Sequence, residues 1–555
     1  MYMQGLANFI DDFLGGLMLI SYALVVGSVL WSFFILRVFS PSDSASDSVV
    51  LNSVRLLNFG SKSLAITVGI KLMIKGLVLW STLGELPWLA YANTVQFKAG
   101  LLRFLLALAL LQVGKQLRTA PASQPLWRFA GWLTLPLVIS GAWLVHAVGR
   151  FEDREMLMVV TVAHQLAAAI WFGCVAQLLV LWRTSRRDAH ARGLWPVAIS
   201  RFAILGIFSV VLLLITGLPL VWTYIGSWNG LFGTGYGGLV VTKVSLLIVA
   251  LGFAWLNNRA GRRWRENARN DTLNTRVPYY TEAETFILVG ILFIAATLSS
   301  QPPSVDIPDR TATVAEVVEM FMPRLPKIHS PSHEALMAAE PGRVAVVNKV
   351  PSVAGAEWSD YNHNIAGIFL TVMSLIAMLS YVRRFSWANY WPLGFIGLGI
   401  FLFFRSDAET WPLGPIGFWE STFGNGEVFQ HRIATILLFV LGSIEMQART
   451  SDHTRKLQYI FPLLCAFGGI LLLTHAHAQF ELKSEFLIQS THTSMGLLAV
   501  IMASGRWLEL RLAGVTADSQ PSQDSSMEGR IAGFVAMAAM LLIGCFLMFY
   551  REPLY

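Results

Sequence analysis

Between Phe13 and Leu36 the chain carries no charged residue, and apolar runs of this kind recur from one end of the sequence to the other. A helix needs about 20 mainly apolar residues to cross the hydrocarbon core of a bilayer. Lipid offers the backbone no hydrogen-bond partners, so a chain built from such runs must cross as helices. The sequence therefore predicts an all-α polytopic membrane protein. Only 14% of its residues are charged, against about 25% in soluble domains. The first run exceeds the apolar core of a secretory signal and no small-residue cleavage pattern follows it, so it is expected to remain as a membrane helix. Cys174, Cys465 and Cys545 stand far apart inside apolar runs and imply no disulfide framework.

On the length rule, spans fall near 13–37, 60–82, 97–115, 128–149, 156–182, 199–224, 238–257 and 284–300. Six more fall near 362–382, 386–404, 428–447, 457–477, 487–508 and 530–550, which makes fourteen. The connections alternate in charge. Those at 183–192, 258–269, 383–384 and 449–456 are basic, and those carrying ELPWLAYAN (85–93), FEDRE (151–155), WNGLFGTGYGG (228–238) and SDAETWPLG (406–414) are acidic or neutral. Basic short loops stay in the cytoplasm, so both termini are expected in the periplasm of a bacterium, with the chain in its inner membrane. The net charge of +7 is sorted by membrane side and points to no nucleic-acid partner. The expected domains are an eight-helix unit over 1–300, a periplasmic linker over 301–361, and a six-helix unit over 362–555.

Seven of the eleven histidines fall at or in the outer halves of these helices: His146, His164, His363, His431, His475, His477 and His492. Polar groups at such depth are costly and usually functional, and imidazole is the commonest metal ligand. In the thirteenth helix Glu485, Gln489, His492 and Met495 follow at intervals of four, three and three, which puts them on one face. Glu427 precedes His431 by one turn and is placed to orient its ring. His475 and His477 stand about 200° apart on a helix, so they chelate together only where the helix has ended. In the first half, His146 and His164 flank a short connection, and Met156 lies about 80° around the helix from His164. Thioether with imidazole suits copper(I), and carboxylate with imidazole suits copper(II). His329 and His333 follow Met320 and Met322 in the linker and form a weaker set of the same kind. Lys71, Lys75, Lys98 and Arg103 run against a bare cation site. They read either as side chains snorkelling to headgroups or as a site for an anion or a cofactor carboxylate.

Three stretches resemble the copper-resistance protein D (CopD) family: VAHQLAAAIWFG at 162–173, SRFAILGIFSVVLLLITGL at 200–218 and GTGYGGLVVTKVSLL at 233–247. The pattern includes His164, Trp171, Gly173, Arg201, Phe202, Gly217, Thr234, Tyr236, Gly237 and Lys243, and the ending LSSQPPS with Pro302 and Pro303. The resemblance covers about residues 130–305. The second half is similar to the extra membrane domain that some such proteins carry. The resemblance implies an inner-membrane copper-handling protein. The chain lacks a fused histidine-rich domain and repeated Met-rich boxes.

The expected function is copper transport or copper resistance across the inner membrane, with the outer histidines and methionines capturing the ion. Its partners would be copper ions, the lipid bilayer and a periplasmic copper-binding protein. Two alternatives compete. One is a b-type haem protein moving electrons, which needs two histidines facing each other at matched depth. The other is an assembly factor delivering copper to an oxidase. No nucleophile–base pair, phosphate loop or soluble catalytic domain suggests an enzyme.

Overall fold

The computed structural model describes residues 2–40, 46–267, 272–339, 352–381, 384–450, 456–474, 483–513 and 527–553. Among these residues every regular element is helical, and β structure is limited to one isolated bridge between Thr410 and Ile416. In chain order the principal helices begin with α1 (Tyr2–Phe34), α2 (Asp47–Leu83), α3 (Val95–Thr119), α4 (Gln124–Ile139), α5 (Arg154–Ser185), α6 (Ala189–Ile225), α7 (Gly235–Glu266) and α8 (Val277–Leu298). They continue with α9 (Val353–Leu379), α10 (Leu393–Arg405), α11 (Gly426–Thr450), α12 (Ile460–Leu473), α13 (Lys483–Ala513) and α14 (Met527–Met548).

Twelve of the described helices are long and apolar enough to cross a membrane, α10 reaching that length with the turn that precedes it. The chain is an all-α polytopic membrane protein. The other two expected spans coincide with the shorter α4 and α12. Pro136 lies inside α4 and removes a backbone donor. The helical path then tightens into 3₁₀ turns at Ser140–Leu144 and His146–Gly149. Conversely, α2 and α6 each run for 37 residues, about 55 Å at 1.5 Å per residue. That exceeds a hydrocarbon core of about 30 Å, and the polar stretches Asp47–Arg55 and His190–Arg201 provide the surplus.

The helices form two compact units. The first comprises Asp11–Tyr224 and Val249–Ser300. Here α2 packs on α3, and α5 meets α2 and α8. A polar seam runs through its interior, where Gln177 donates to Ser28 Oγ at 2.7 Å and to the Ser53 carbonyl at 3.3 Å. The second unit comprises Met1–Ile10, Ile225–Ile248 and Gln301–Tyr555. Here α13 lies against both α12 and α14, α14 lies against α9, and α10 lies against α11. Residues 301–339 pack onto these helices: Ala312 and Met320 are buried with Phe486, Leu487 and Tyr550, and Leu336 with Trp358 and Ala408.

Candidate functional site

In the second unit α9, α11 and α13 each supply one histidine to the same region. The ring centroids of His363 and His492 are 6.0 Å apart, with the rings nearly perpendicular at 89°. Each ring is pinned to its own helix one turn back. His363 Nδ1 meets the Ser359 carbonyl at 2.9 Å, and His492 Nδ1 meets the Ile488 carbonyl at 3.0 Å. A carbonyl only accepts, so both Nδ1 atoms carry a proton, and in the neutral form of each ring the lone pair is then on Nε2. His431 interacts electrostatically with both rings.

The third ring is oriented by a carboxylate. His431 Nδ1 donates to Asp407 Oδ1 at 2.8 Å. Asp407 sits in the loop between α10 and α11, and two arginines fix that loop. Arg405 lies over the Trp358 ring at 3.4 Å, and its carbonyl accepts from Trp358 Nε1 and Asn362. Arg432 donates to Thr410 Oγ1 at 3.0 Å and to the Trp411 carbonyl at 2.8 Å. Burial pushes the Asp407 carboxyl up, but His431, Ser406 and Arg432 outweigh it and hold the group below the usual carboxylate range. Around His363, Tyr550 stacks on the imidazole with centroids 4.1 Å apart. Glu552 Oε2 accepts from Ser359 at 2.6 Å and from Tyr550 at 2.8 Å. Burial lifts the Glu552 carboxyl to about 7, against the pull of those two hydrogen bonds.

Other expected members of this site hold different places. Glu427 acts on His431 through charge, while Asp407 takes the hydrogen bond. Gln489 is buried, and its Oε1 has no partner among the described residues. Met495 is buried in an apolar cluster with Ala499 and Ile543. Glu485 lies in the first turn of α13, half-buried. His475 and His477 lie outside the described residues. Among the described residues no three or more His, Cys, Asp or Glu side chains are placed to hold a metal together. The described cluster is thus a facing pair of imidazoles with a third nearby.

In the first unit each candidate histidine has its own polar contact. His146 Nε2 donates to the Leu298 carbonyl at 3.0 Å. His164 Nδ1 lies 2.9 Å from Thr216 Oγ1, and that hydroxyl gives its own proton to the Leu212 carbonyl. His164 Nδ1 is therefore the donor in this contact. Met156 is 52% exposed. Three of the four cations have partners within the fold, and Lys98 is exposed. Lys71 pairs with Asp11 Oδ2 at 3.0 Å and its carbonyl at 2.8 Å, and Lys75 reaches Gln96 at 3.3 Å. Arg103 is buried, donates to Ser140 Oγ at 3.2 Å and lies 5.2 Å from the Tyr22 ring centre. In the linker, His333 bonds the Ala408 carbonyl at 2.8 Å.

Sequence reasoning missed Asp407, Tyr550, Glu552 and Asp11. Asp407 precedes His431 by 24 positions in an irregular loop, where no helical spacing relates the two. The one available signal was an acidic residue in an outer loop ahead of a histidine-bearing helix.

A family model described as copper resistance protein D matches residues 196–298. The copper transport protein CutJ of Bacillus subtilis (strain 168) is 26% identical over 178 residues, which is 31% of this chain and 31% of that protein. No solved structure matches. Residues 196–298, which run through α6, α7 and α8, are thus the part of this membrane protein that is similar to the copper resistance protein D (CopD) family.

Proposed function

We propose that the protein transports copper across the bacterial inner membrane, or confers resistance to it there, with imidazoles on the periplasmic side capturing the ion. Copper is cargo on this proposal. The family match and the name of the similar Bacillus protein support the copper assignment. The observation that carries the capture step is the His363–His492 pair. The two rings come from different helices, 6.0 Å apart between centroids. That separation accommodates one ion at about 2 Å from a nitrogen of each ring, and in the neutral rings the lone pairs lie on Nε2. His431, oriented by Asp407, stands ready as a further nitrogen, and His475 and His477 precede α13 in sequence as further donors. The CopD-like helices of 1–300 would then form one membrane unit, and 362–555 the capture unit, fed by a periplasmic copper-binding protein.

The same pair supports a second reading, a b-type haem, because haem iron also takes two imidazoles from facing helices. Purified wild type, His363→Ala and His492→Ala distinguish the two. Copper bound near one equivalent in wild type and reduced at least tenfold in affinity in either variant, about 1.4 kcal/mol or more, is the expected result. A Soret band without copper would select haem. Neither copper nor haem, with the variants changing only thermal stability, would overturn both readings.

A further inference from the structure

The first unit buries a carboxylate that copper capture does not use. Glu284 lies in α8 about two turns after the helix begins at Val277, and it is 1% exposed. Trp171 Nε1 of α5 donates to Oε1 at 2.8 Å, and Asn257 Nδ2 of α7 donates to Oε2 at 3.0 Å. Both donors are neutral, and no cation interacts with the carboxylate among the described residues. The Asn257 face of α7 carries Ala250, Phe253, Ala254, Ala260 and Gly261, none of them charged, and Arg259 stands about 200° away. On α5, the Trp171 face carries Ala167, Cys174 and Leu178, of which only the Cys174 thiol titrates. The Thr272–Thr275 helix has no charged residue, α1 brings Phe13 and Gly15 to Phe293 and Ala296 of α8, and Glu282 of α8 itself points about 200° away.

An ionised carboxylate buried without a counter-charge is expensive. The neutral acid avoids that cost but needs an acceptor for its O–H. The acceptor is at hand: Asn257 Oδ1 is buried and has no partner among the described residues. A half-turn of the Asn257 amide exchanges Nδ2 for Oδ1 against Glu284, so the same side chain donates to the carboxylate and accepts from the acid. Trp171 holds the other oxygen in both states.

We infer that Glu284, Asn257 and Trp171 form a proton-binding site within the membrane, taking one proton from solvent as the Glu284 carboxylic acid and returning it to solvent. A membrane protein that moves a cation can use such a site to couple the movement to protons. The site shares no residue with the copper proposal and does not depend on it.

The test is pH-difference infrared spectroscopy on the purified full-length protein in lipid, without copper. Acidification is expected to raise the C=O stretching band of a neutral carboxylic acid, reversibly. Glu284→Gln should abolish the component assigned to this site, and Glu284→Asp, which keeps the acid if the amide variant misfolds, should shift it. Asn257→Leu should move the band toward the position of a C=O whose acid group lacks an acceptor. A pH-difference spectrum unchanged in both Glu284 variants would overturn the proposal. So would loss of the band on adding sodium at constant pH, which would make a metal cation the occupant.

Discussion

At Glu552 the sign of a pH effect follows from burial. Its carboxyl is lifted to about 7, above an unfolded value of about 4.3. The folded state therefore binds this proton more tightly than the unfolded state. The resulting stability is fully present below the unfolded value and is lost as pH rises through about 7. Thermal unfolding of wild type against Glu552→Gln should show the wild-type midpoint falling relative to the variant between about pH 4.5 and pH 7. A constant difference across that range would show that the carboxyl is not held neutral. Asp407 runs the opposite way. Its folded value lies below the usual range, so its contribution is present at neutral pH and lost only as pH falls below about 4. Asp407→Asn keeps a hydrogen-bond acceptor for His431 but removes the charge, and should cost about 1–3 kcal/mol at neutral pH. That loss is read from the unfolding midpoint. His363, His431 and His492 stand out in the sequence because imidazole is rare in apolar helices, and the structure brings the His363 and His492 rings within 6.0 Å of each other. Asp407 and Glu284 were not legible, because each acquires its meaning from partners on other elements.

At the scale of elements, the helix count was legible from the lengths of the apolar runs alone, since a bilayer demands a minimum span. Helix ends were not legible. They depend on local events such as Pro136 in α4, or on helices like α2 that continue into the aqueous layers. The crossing of α1 and α5 was not legible either, because it brings together Gly27 and Gly173, which no sequence spacing relates. A Cβ built on Gly173 would stand 2.2 Å from the Ala23 carbonyl oxygen and 2.6 Å from Gly27 Cα, and one on Gly27 would stand 2.4 Å from Gly173 Cα. The two backbones touch there, as small residues allow in membrane helices. Gly173→Ala must push the helices apart and should destabilise by about 1–3 kcal/mol. Gly149, where a Cβ meets nothing within 4 Å, is the control and should tolerate alanine. Equal unfolding midpoints for the two variants would show that the crossing is not tight.

For the whole molecule, loop charge predicts the orientation: a reporter fused after Arg262 should be cytoplasmic, and a periplasmic signal there would invert every statement about outer histidines. The compact units cut across the expected boundary at 300, because the second unit draws in Ile225–Ile248. That grouping has specific bonds behind it. Ala312 N donates to the Gly233 carbonyl at 2.8 Å, Ser304 Oγ donates to the Gly230 carbonyl at 2.9 Å, and Ser304 and Thr234 hydroxyls lie 2.7 Å apart. Ala312 and Ser304 are buried, so losing these partners leaves polar groups unsatisfied at about 1–3 kcal/mol each. A fragment beginning at Gln301 therefore keeps the histidine pair but lacks the Gly230–Thr234 partners of Ala312 and Ser304. Expressed alone, it should unfold at a lower temperature than the intact chain. Co-expressed with residues 1–300 it should co-purify with that fragment and regain most of the difference. If the 301–555 fragment alone matched the intact chain in unfolding midpoint, the segment 225–248 would contribute nothing to this unit, and the division at 300 would be the physical one.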